Sequence, residues 1–197
     1  MTHFAKLTLV SSLTSIFFVG CGEQTSVTAT EPTPESKDSM AKIENITKIE
    51  ILEAINKARA EARDCHDGQG VVGPSAPLTW NDKLYASAYE HSNDLANSNT
   101  FDHNGSGTRF DVTGSNSGTA SRFYERIQAN GYVDYEIIGE NIAGGQESIQ
   151  TALTAWLASP AHCTNIMESE FREIGVAVVV NPDATYGIYW TQNFGGK

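Results

Sequence analysis

Two segments of this sequence place ionisable side chains in tight, apolar backbone, where proton or metal chemistry is expected. Residues 139–145 (GENIAGG) put Glu140 between glycines in a stretch otherwise suited to burial. Residues 156–166 (WLASPAHCTNI) place His162 just after a proline. Ionisable groups in such surroundings have shifted pKa values and are candidates for catalysis or ligand binding. The alternative is that Glu140 caps backbone amides and His162 belongs to a structural polar network.

A third ionisable candidate lies on a predicted helix. Residues 81–97 carry apolar side chains at helical spacing, and His91 shares a face with Leu84, Ala88 and Leu95. His91 is therefore expected to point inward. Such a histidine is either a hydrogen-bonded part of the core or a ligand in a site, and the spacing leaves both readings open.

Caps and breakers predict the helices that position these groups. A first helix is predicted from a capping box at Thr47 to about Asp64. A third is predicted over residues 121–130 and a fourth over residues 147–158, which the following proline prevents from continuing. Residues 106–120 are rich in Gly, Ser and Thr and are expected to form an exposed loop.

The C-terminal part changes from helical to strand patterning. Residues 174–180 are β-branched and almost wholly apolar, and residues 188–194 follow after an Asn-Pro turn. This pattern predicts an antiparallel hairpin. Helices flanking such a sheet indicate an α/β fold, a three-layer α–β–α sandwich with a mainly antiparallel central sheet.

The N-terminal residues are typical of an export signal. Lys6 precedes an apolar run that is shorter than the roughly 20 residues of a membrane span, so residues 1–20 are predicted to be a signal peptide. The run ends at Gly20 and Cys21, which resembles a bacterial lipoprotein signal with Cys21 as the lipidated residue. Ordinary secretion, with cleavage near Gly20 or Gly22, is the alternative.

The rest of the chain divides into a tether and one domain. Residues 21–42 are rich in Thr, Ser, Glu and Pro and poor in apolar groups, so they are predicted to be a flexible tether. Residues 43–197 are enough for a single domain with a real core. The expected location is the bacterial cell envelope, where the N-terminal lipid would hold the chain to the membrane. The chain is expected to be a monomer.

The cysteines and the net charge further restrict the possible functions of the chain. If Cys21 carries lipid, Cys65 and Cys163 remain, and two thiols outside the cytoplasm tend to form a disulfide. That bridge would join the end of the first helix to a loop carrying His162; metal ligation is the weaker option, since no CxxC spacing is present. The net charge of −11 argues against nucleic acid as a partner.

Seven separated segments resemble one protein family, in the family's order. The sequence is similar to the bacterial branch of the CAP superfamily, also called the SCP domain, which includes cysteine-rich secretory proteins, antigen 5 and pathogenesis-related protein 1. The segments are PLTWN (77–81), SAYEHSNDLA (87–96), FDH (101–103), GENIA (139–143), WLASPAHCTNI (156–166), EIGV (173–176) and YWTQNFG (189–195).

The resemblance implies an α–β–α sandwich with a cleft over one end of the sheet. Eukaryotic members line this cleft with two histidines and two glutamates, and some bind a divalent ion there. His103 matches the first histidine and Glu140 the first glutamate. The second glutamate position holds Ser159 and the second histidine position holds Tyr189, so half of the usual set is missing. His162 is expected to fill part of that space.

A reduced metal site is one expectation from these residues. His103, Glu140 and His162 would form a set of two histidines and one carboxylate, which suits zinc with a fourth position open to water. Their separations along the chain are unlike a compact metal motif, so only the fold could bring them together.

Three functions compete at this point. The favoured one is a binding module whose cleft holds a small lipid or an ion, as the resemblance implies. The second is a structural or host-interaction protein whose surface is the loop over residues 105–120. The third is a metal- or histidine-assisted hydrolase, which the missing half of the site disfavours, so the chain is more readily read as a non-enzyme.

Overall fold

The computed structural model describes Ile43 and residues 45–197, and the predicted signal peptide, tether and lipidation site at Cys21 lie outside that part of the chain. The helices within it are α1 (Lys48–Arg59), α2 (Asp82–Ser98), α3 (Val112–Ser117), α4 (Phe123–Ala129), α5 (Ile149–Leu157) and α6 (Pro160–Met167). The strands are β1 (Arg63–Asp64), β2 (Val71–Val72), β3 (Thr79–Trp80), β4 (Ile137–Gly144), β5 (Glu173–Val180) and β6 (Ile188–Gly196).

The central sheet has the strand order β3–β5–β6–β4. β6 pairs antiparallel with both β5 and β4, whereas β3 pairs in parallel with β5. The predicted hairpin is confirmed as β5 and β6. In the β4–β6 register Glu140 lies opposite Asn193, and within the described residues β4 forms one edge of the sheet.

Helices cover both faces of the sheet and complete the predicted α–β–α sandwich. On one face α1, α5 and α6 pack against the strands, with Trp156 and Trp190 at the centre of the core. On the other face α2 lies over β5 and β6, where Leu95 and Tyr189 pack together. A Cβ atom at Gly175 of β5 would collide with the backbone of Tyr85, so the absence of a side chain lets α2 sit directly on the strand.

Two predicted elements differ from the structure. α1 ends at Arg59 rather than near Asp64, because β1 leaves the helix direction to pair with β2. The segment expected to be an exposed loop contains α3, and the buried Asp111 organises it. The Asp111 carboxylate accepts hydrogen bonds from the backbone of Gly107, Gly114 and Ser121, a set of contacts that composition does not reveal.

The chain around His162 is helical rather than a loop. α6 begins at Pro160, a position where proline is tolerated because the first N–H groups of a helix have no partner within it. The predicted disulfide between Cys65 and Cys163 is confirmed, with a Cα–Cα distance of 5.5 Å. It fastens the turn of helix that carries His162 to the segment after α1. No helix in the described part of the chain is long and apolar enough to cross a bilayer.

Candidate functional site

Glu140 is the centre of the polar cluster. Its side chain is only 1% exposed, on the face of β4 that α2 covers. Arg126 Nη2 donates to Oε1 and Oε2 at 3.1 and 3.0 Å, and His103 Nδ1 lies 3.0 Å from Oε1. The Asn193 amide, with its nitrogen turned to the carboxylate, donates to Oε2 at 3.1 Å. Four donor contacts use the acceptor capacity of an ionised carboxylate.

The ionised form of Glu140 is stabilised by its neighbours. Burial opposes ionisation, but His91, Arg126 and His103 outweigh it and lower the pKa of the Glu140 carboxyl. Arg126 is itself fully buried on α4. Its Nη1 donates to the Ser121 carbonyl and hydroxyl oxygens, and its Nη2 also donates to the His103 carbonyl oxygen at 2.8 Å.

His103 is the exposed member of the cluster. It lies in the loop after α2, and its side chain is 49% exposed. Because the Glu140 carboxylate can only accept, His103 Nδ1 carries the proton in their hydrogen bond, and Nε2 is the nitrogen left for a ligand. The hydrogen bond to Glu140 raises the pKa of His103 above its ordinary value of 6.5, against the effect of partial burial.

His91 points inward, as its helical position predicts, and supports the loop that carries His103. Its ring is fully buried, and Nε2 donates to the carbonyl oxygen of Asp102 at 3.0 Å. The same nitrogen lies 3.8 Å from Glu140 Oε1, beyond hydrogen-bonding distance. Burial is the main cause that lowers the pKa of His91 to about 4, so the ring is neutral at neutral pH.

His162 approaches His103 from the other layer of the sandwich. The two ring centroids are 6.4 Å apart, with planes inclined at 46°. Burial lowers the pKa of His162, and the nearby His103 lowers it further. The His162 carbonyl oxygen accepts from Asn141 Nδ2 at 3.2 Å, which ties the first turn of α6 to β4. Two adjacent imidazoles therefore have pKa values displaced in opposite directions.

The other two predicted cleft residues do not contact Glu140. Ser159 occupies the N-cap position of α6, one turn from His162; its side chain makes no capping hydrogen bond, and its carbonyl oxygen accepts from the Cys163 backbone N–H. Tyr189 lies four residues from Asn193 on β6, which is about 13 Å along a strand. The Tyr189 ring is buried and packs edge-on against Tyr186, so its phenol does not replace the expected second histidine.

Comparison with known proteins gives this geometry a family. The model of the cysteine-rich secretory protein (CAP) family matches residues 52–194. The chain belongs to the CAP family. It is 33% identical over 121 residues to the uncharacterized protein YkwD of Bacillus subtilis, which covers 61% of this chain and 40% of that protein. Against the uncharacterized membrane protein YlbC of the same organism it is 27% identical, covering 83% and 38%. The chain thus spans about two-fifths of each relative's length.

Solved structures share the CAP fold. An extracellular protein containing an SCP domain from Bacillus anthracis aligns with a TM-score of 0.56 and 24% identity, covering 84% of this chain and 44% of that one. An outer surface protein of Borrelia burgdorferi aligns with a TM-score of 0.50 and 20% identity, covering 82% and 94%.

The residues of this CAP domain do not fit the divalent ion that the family resemblance suggests. Glu140 has its acceptor positions filled, and a buried guanidinium lies beside it, which disfavours a second cation. Within residues 43 and 45–197 no group of three or more His, Cys, Asp or Glu side chains is placed to hold a metal. Zinc ligation by His103, Glu140 and His162 stays a prediction without a matching arrangement.

Sequence reasoning missed Arg126, which holds Glu140 in place. A signal was available, since Phe123 and Ile127 are apolar residues one helical turn apart in the predicted third helix, and Arg126 lies three residues after Phe123 on the same side. Arginine is seldom fully buried unless it is paired, so an inward arginine and an inward glutamate in one domain predict each other. Sequence reasoning also missed Asn193. It lies two residues after Thr191 on β6, so both side chains are on the face of the strand that meets α2.

Proposed function

We propose that this CAP domain is exported, held at the membrane through Cys21, and binds a small anionic ligand, such as the head group of a lipid, between His103 and His162. The observation that carries the proposal is the His103–Glu140 pair. A buried, ionised carboxylate lies 3.0 Å from Nδ1 of a half-exposed imidazole, favours the protonated form of that ring by raising its pKa, and leaves Nε2 in a fixed position to donate to an anion.

The second imidazole completes the proposed ligand site. His162 lies beside His103 and is neutral at neutral pH, so it adds a hydrogen-bonding group without further positive charge. An anion bound between the rings would further favour the protonated form of His103 and would meet a neutral ring at His162. A divalent cation would instead compete with the proton that Glu140 favours on His103 and would lie near the Arg126 guanidinium, so an anion is favoured over a divalent cation.

Calorimetric titration with inorganic phosphate and with decanoate tests the site. We expect binding to weaken about tenfold or more in His103→Ala, because a hydrogen bond to a charged group is lost. A smaller loss is expected in His162→Ala. Affinity should fall as the pH rises through the His103 pKa, which lies above 6.5. His66→Ala is the matched control, since His66 is an exposed histidine on a different loop.

Equal affinity of His103→Ala and His66→Ala for both probes would overturn the proposal. Zinc binding that is lost in both His103→Ala and His162→Ala would show that the site binds a divalent cation rather than an anion. Export and anchoring have a separate test. Labelled palmitate should be incorporated into the wild type and not into Cys21→Ala, and absence of label from the wild type would leave an unanchored protein.

A hydrolase is the second candidate, and one observation favours it. Adjacent groups whose pKa values move apart are suited to serve as general acid and general base. His103 would donate a proton and His162 would accept one. The Cys163 thiol is held in the disulfide and offers no nucleophile. Turnover of a chromogenic phosphate ester that is lost in both histidine variants would favour this function over binding alone.

A further inference from the structure

Three aromatic side chains form a row on the outer side of α2, away from His91. Trp80 ends β3, and Tyr85 and Tyr89 follow one helical turn apart. The ring centroids of Trp80 and Tyr85 are 5.6 Å apart, and those of Tyr85 and Tyr89 are 6.3 Å apart, with planes inclined at 37° and 33°. Tyr85 is 39% exposed and Tyr89 is 49% exposed. The row therefore presents partly exposed rings at intervals of about 6 Å.

The row passes between two surface hollows. One, of about 490 Å³, is lined by Tyr85 and Tyr89 together with polar groups that include Glu90 and Asn130. The other, of about 320 Å³, is lined by Trp80 and Tyr85. Tyr85 borders both hollows, so an extended molecule lying across it would reach from one to the other.

The polar groups beside the rings are held in fixed positions. Glu90 Oε1 accepts from the Thr113 backbone N–H at 2.7 Å, and Oε2 accepts from Asn130 Nδ2 at 2.8 Å. At the other end Trp80 Nε1 donates to Asp82 Oδ1 at 3.0 Å, which sets the orientation of the indole. Groups already ordered before binding reduce the entropy lost when a ligand is bound.

We propose that this aromatic row binds a neutral oligosaccharide chain. A sugar ring has apolar C–H faces that can lie on aromatic rings, and a rim of hydroxyl groups that donate and accept hydrogen bonds. The row offers both requirements, ring faces along its length and carboxylate or amide oxygens at its side. The proposal does not depend on the His103–His162 site, which lies on the other side of α2.

Charge and composition argue for a neutral glycan over other occupants. Glu90 borders one hollow, Asp82 and Lys48 together border the other, and the chain carries a net charge of −11, so a polyanion would find little favourable charge here and would be repelled by the chain as a whole. The core of a protein–protein interface is depleted of charged residues, whereas carboxylates flank this row at both ends. A proline-rich peptide also docks on aromatic grooves and is therefore one outcome of the test.

Tryptophan fluorescence gives a direct readout for this surface. The chain has three tryptophans, and Trp156 and Trp190 are buried in the core, so an added ligand can reach only the partly exposed Trp80. The probes are hexasaccharides of glucose and of N-acetylglucosamine, β-linked, added to the full chain. We expect a saturable change in emission with at least one of them.

Variants of the row separate binding from folding. Tyr85→Ala and Tyr89→Ala should each weaken binding by about tenfold, since each removes a stacking face. Tyr85→Phe keeps the ring and should retain most of the affinity. Tyr186→Ala is the matched control, because Tyr186 is a tyrosine of similar exposure, 44%, outside the row. Circular dichroism of each variant checks that the fold is kept.

Three results would overturn the proposal. The first is no emission change with either hexasaccharide. The second is an equal loss of affinity in Tyr85→Ala and Tyr186→Ala. The third is binding of a proline-rich decapeptide, with the same dependence on Tyr85, in a chain that ignores both sugars, which would assign the row to a peptide.

Discussion

Neighbouring residues of β4 send their side chains to opposite faces of the sheet, and the two faces hold their polar groups by different means. Glu140 enters an ionic cluster with Arg126 and His103 on the α2 side. Asn141 enters a neutral amide cluster on the α6 side, where its Nδ2 donates to Gln192 Oε1 at 2.9 Å and its Oδ1 accepts from Asn165 Nδ2 at 2.9 Å.

The two clusters therefore have different roles, one in the charge of the site and the other in the placement of its residues. The ionic cluster includes a partly exposed imidazole and two displaced histidine pKa values, so its charge responds to pH. The amide cluster carries no charge at any ordinary pH and ties α6 to β4. The ionic cluster is expected to determine the chemistry of the site, and the amide cluster is expected to fix the position of His162.

The largest expected effect comes from removing the carboxylate on the ionic face. Glu140→Gln should lower the free energy of unfolding by about 3–5 kcal/mol, because the buried Arg126 guanidinium loses its counter-charge. Chemical denaturation measures the loss. The double variant Glu140→Gln with Arg126→Met should recover part of it, since neither charge is then buried alone. A double variant as unstable as the two single losses added together would contradict the pairing.

A smaller loss is expected on the neutral face. Asn141→Ala removes two donated hydrogen bonds and one accepted, and should cost about 2–3 kcal/mol. The loss should be the same in acid and in neutral buffer, since no member of the amide cluster titrates. Combined with Asn165→Ala it should be less than additive, because the two amides share a hydrogen bond. A marked pH dependence of the stability lost in Asn141→Ala would contradict the conclusion that this face is held by neutral groups alone.

The smallest effect is a pH slope confined to the ionic face. His91 has a folded pKa of about 4, below its ordinary 6.5, so the unfolded chain binds a proton that the folded chain does not. Its contribution to stability is full above pH 6.5 and declines toward pH 4, by about 2 kcal/mol between pH 7 and pH 5. Unfolding curves of wild type and His91→Gln at the two pH values should differ by this amount.

His103 supplies a control of opposite sign. Its folded pKa is raised, so its stabilisation is full below pH 6.5 and is lost as the pH rises through the folded pKa. His103→Gln should therefore make stability rise more steeply with pH, whereas His91→Gln should make it rise less. Slopes that change in the same direction would show that the two rings do not differ as their surroundings indicate.

The sequence predicted elements well where periodicity or caps were strong. The hairpin of β5 and β6, the helices α2, α4 and α5, and the pairing of Cys65 with Cys163 all match the structure. β4 was not assigned as a strand, because its glycines and polar residues break the usual alternation. α6 was missed because the proline at its start was read only as a helix stop.

The polar cluster could be predicted only in part. Resemblance supplied His103 and Glu140, and helical spacing supplied the inward His91. Arg126 could have been found from its place on the apolar side of a predicted helix, whereas Asn193 reaches Glu140 from a strand about 50 residues away, and single-residue patterns do not reveal such a contact. Metal ligation was expected from residue types, but how many acceptor positions remain on a carboxylate depends on the finished packing.

Because α2 packs directly on β5 at Gly175, its inner and outer sides can have separate roles. Backbone against backbone fixes the depth at which the inner row of α2, with His91, meets the sheet. The outer row can then vary in size and chemistry without displacing that inner row. A substitution in the outer row can thus change the exposed surface while the buried charges keep their positions.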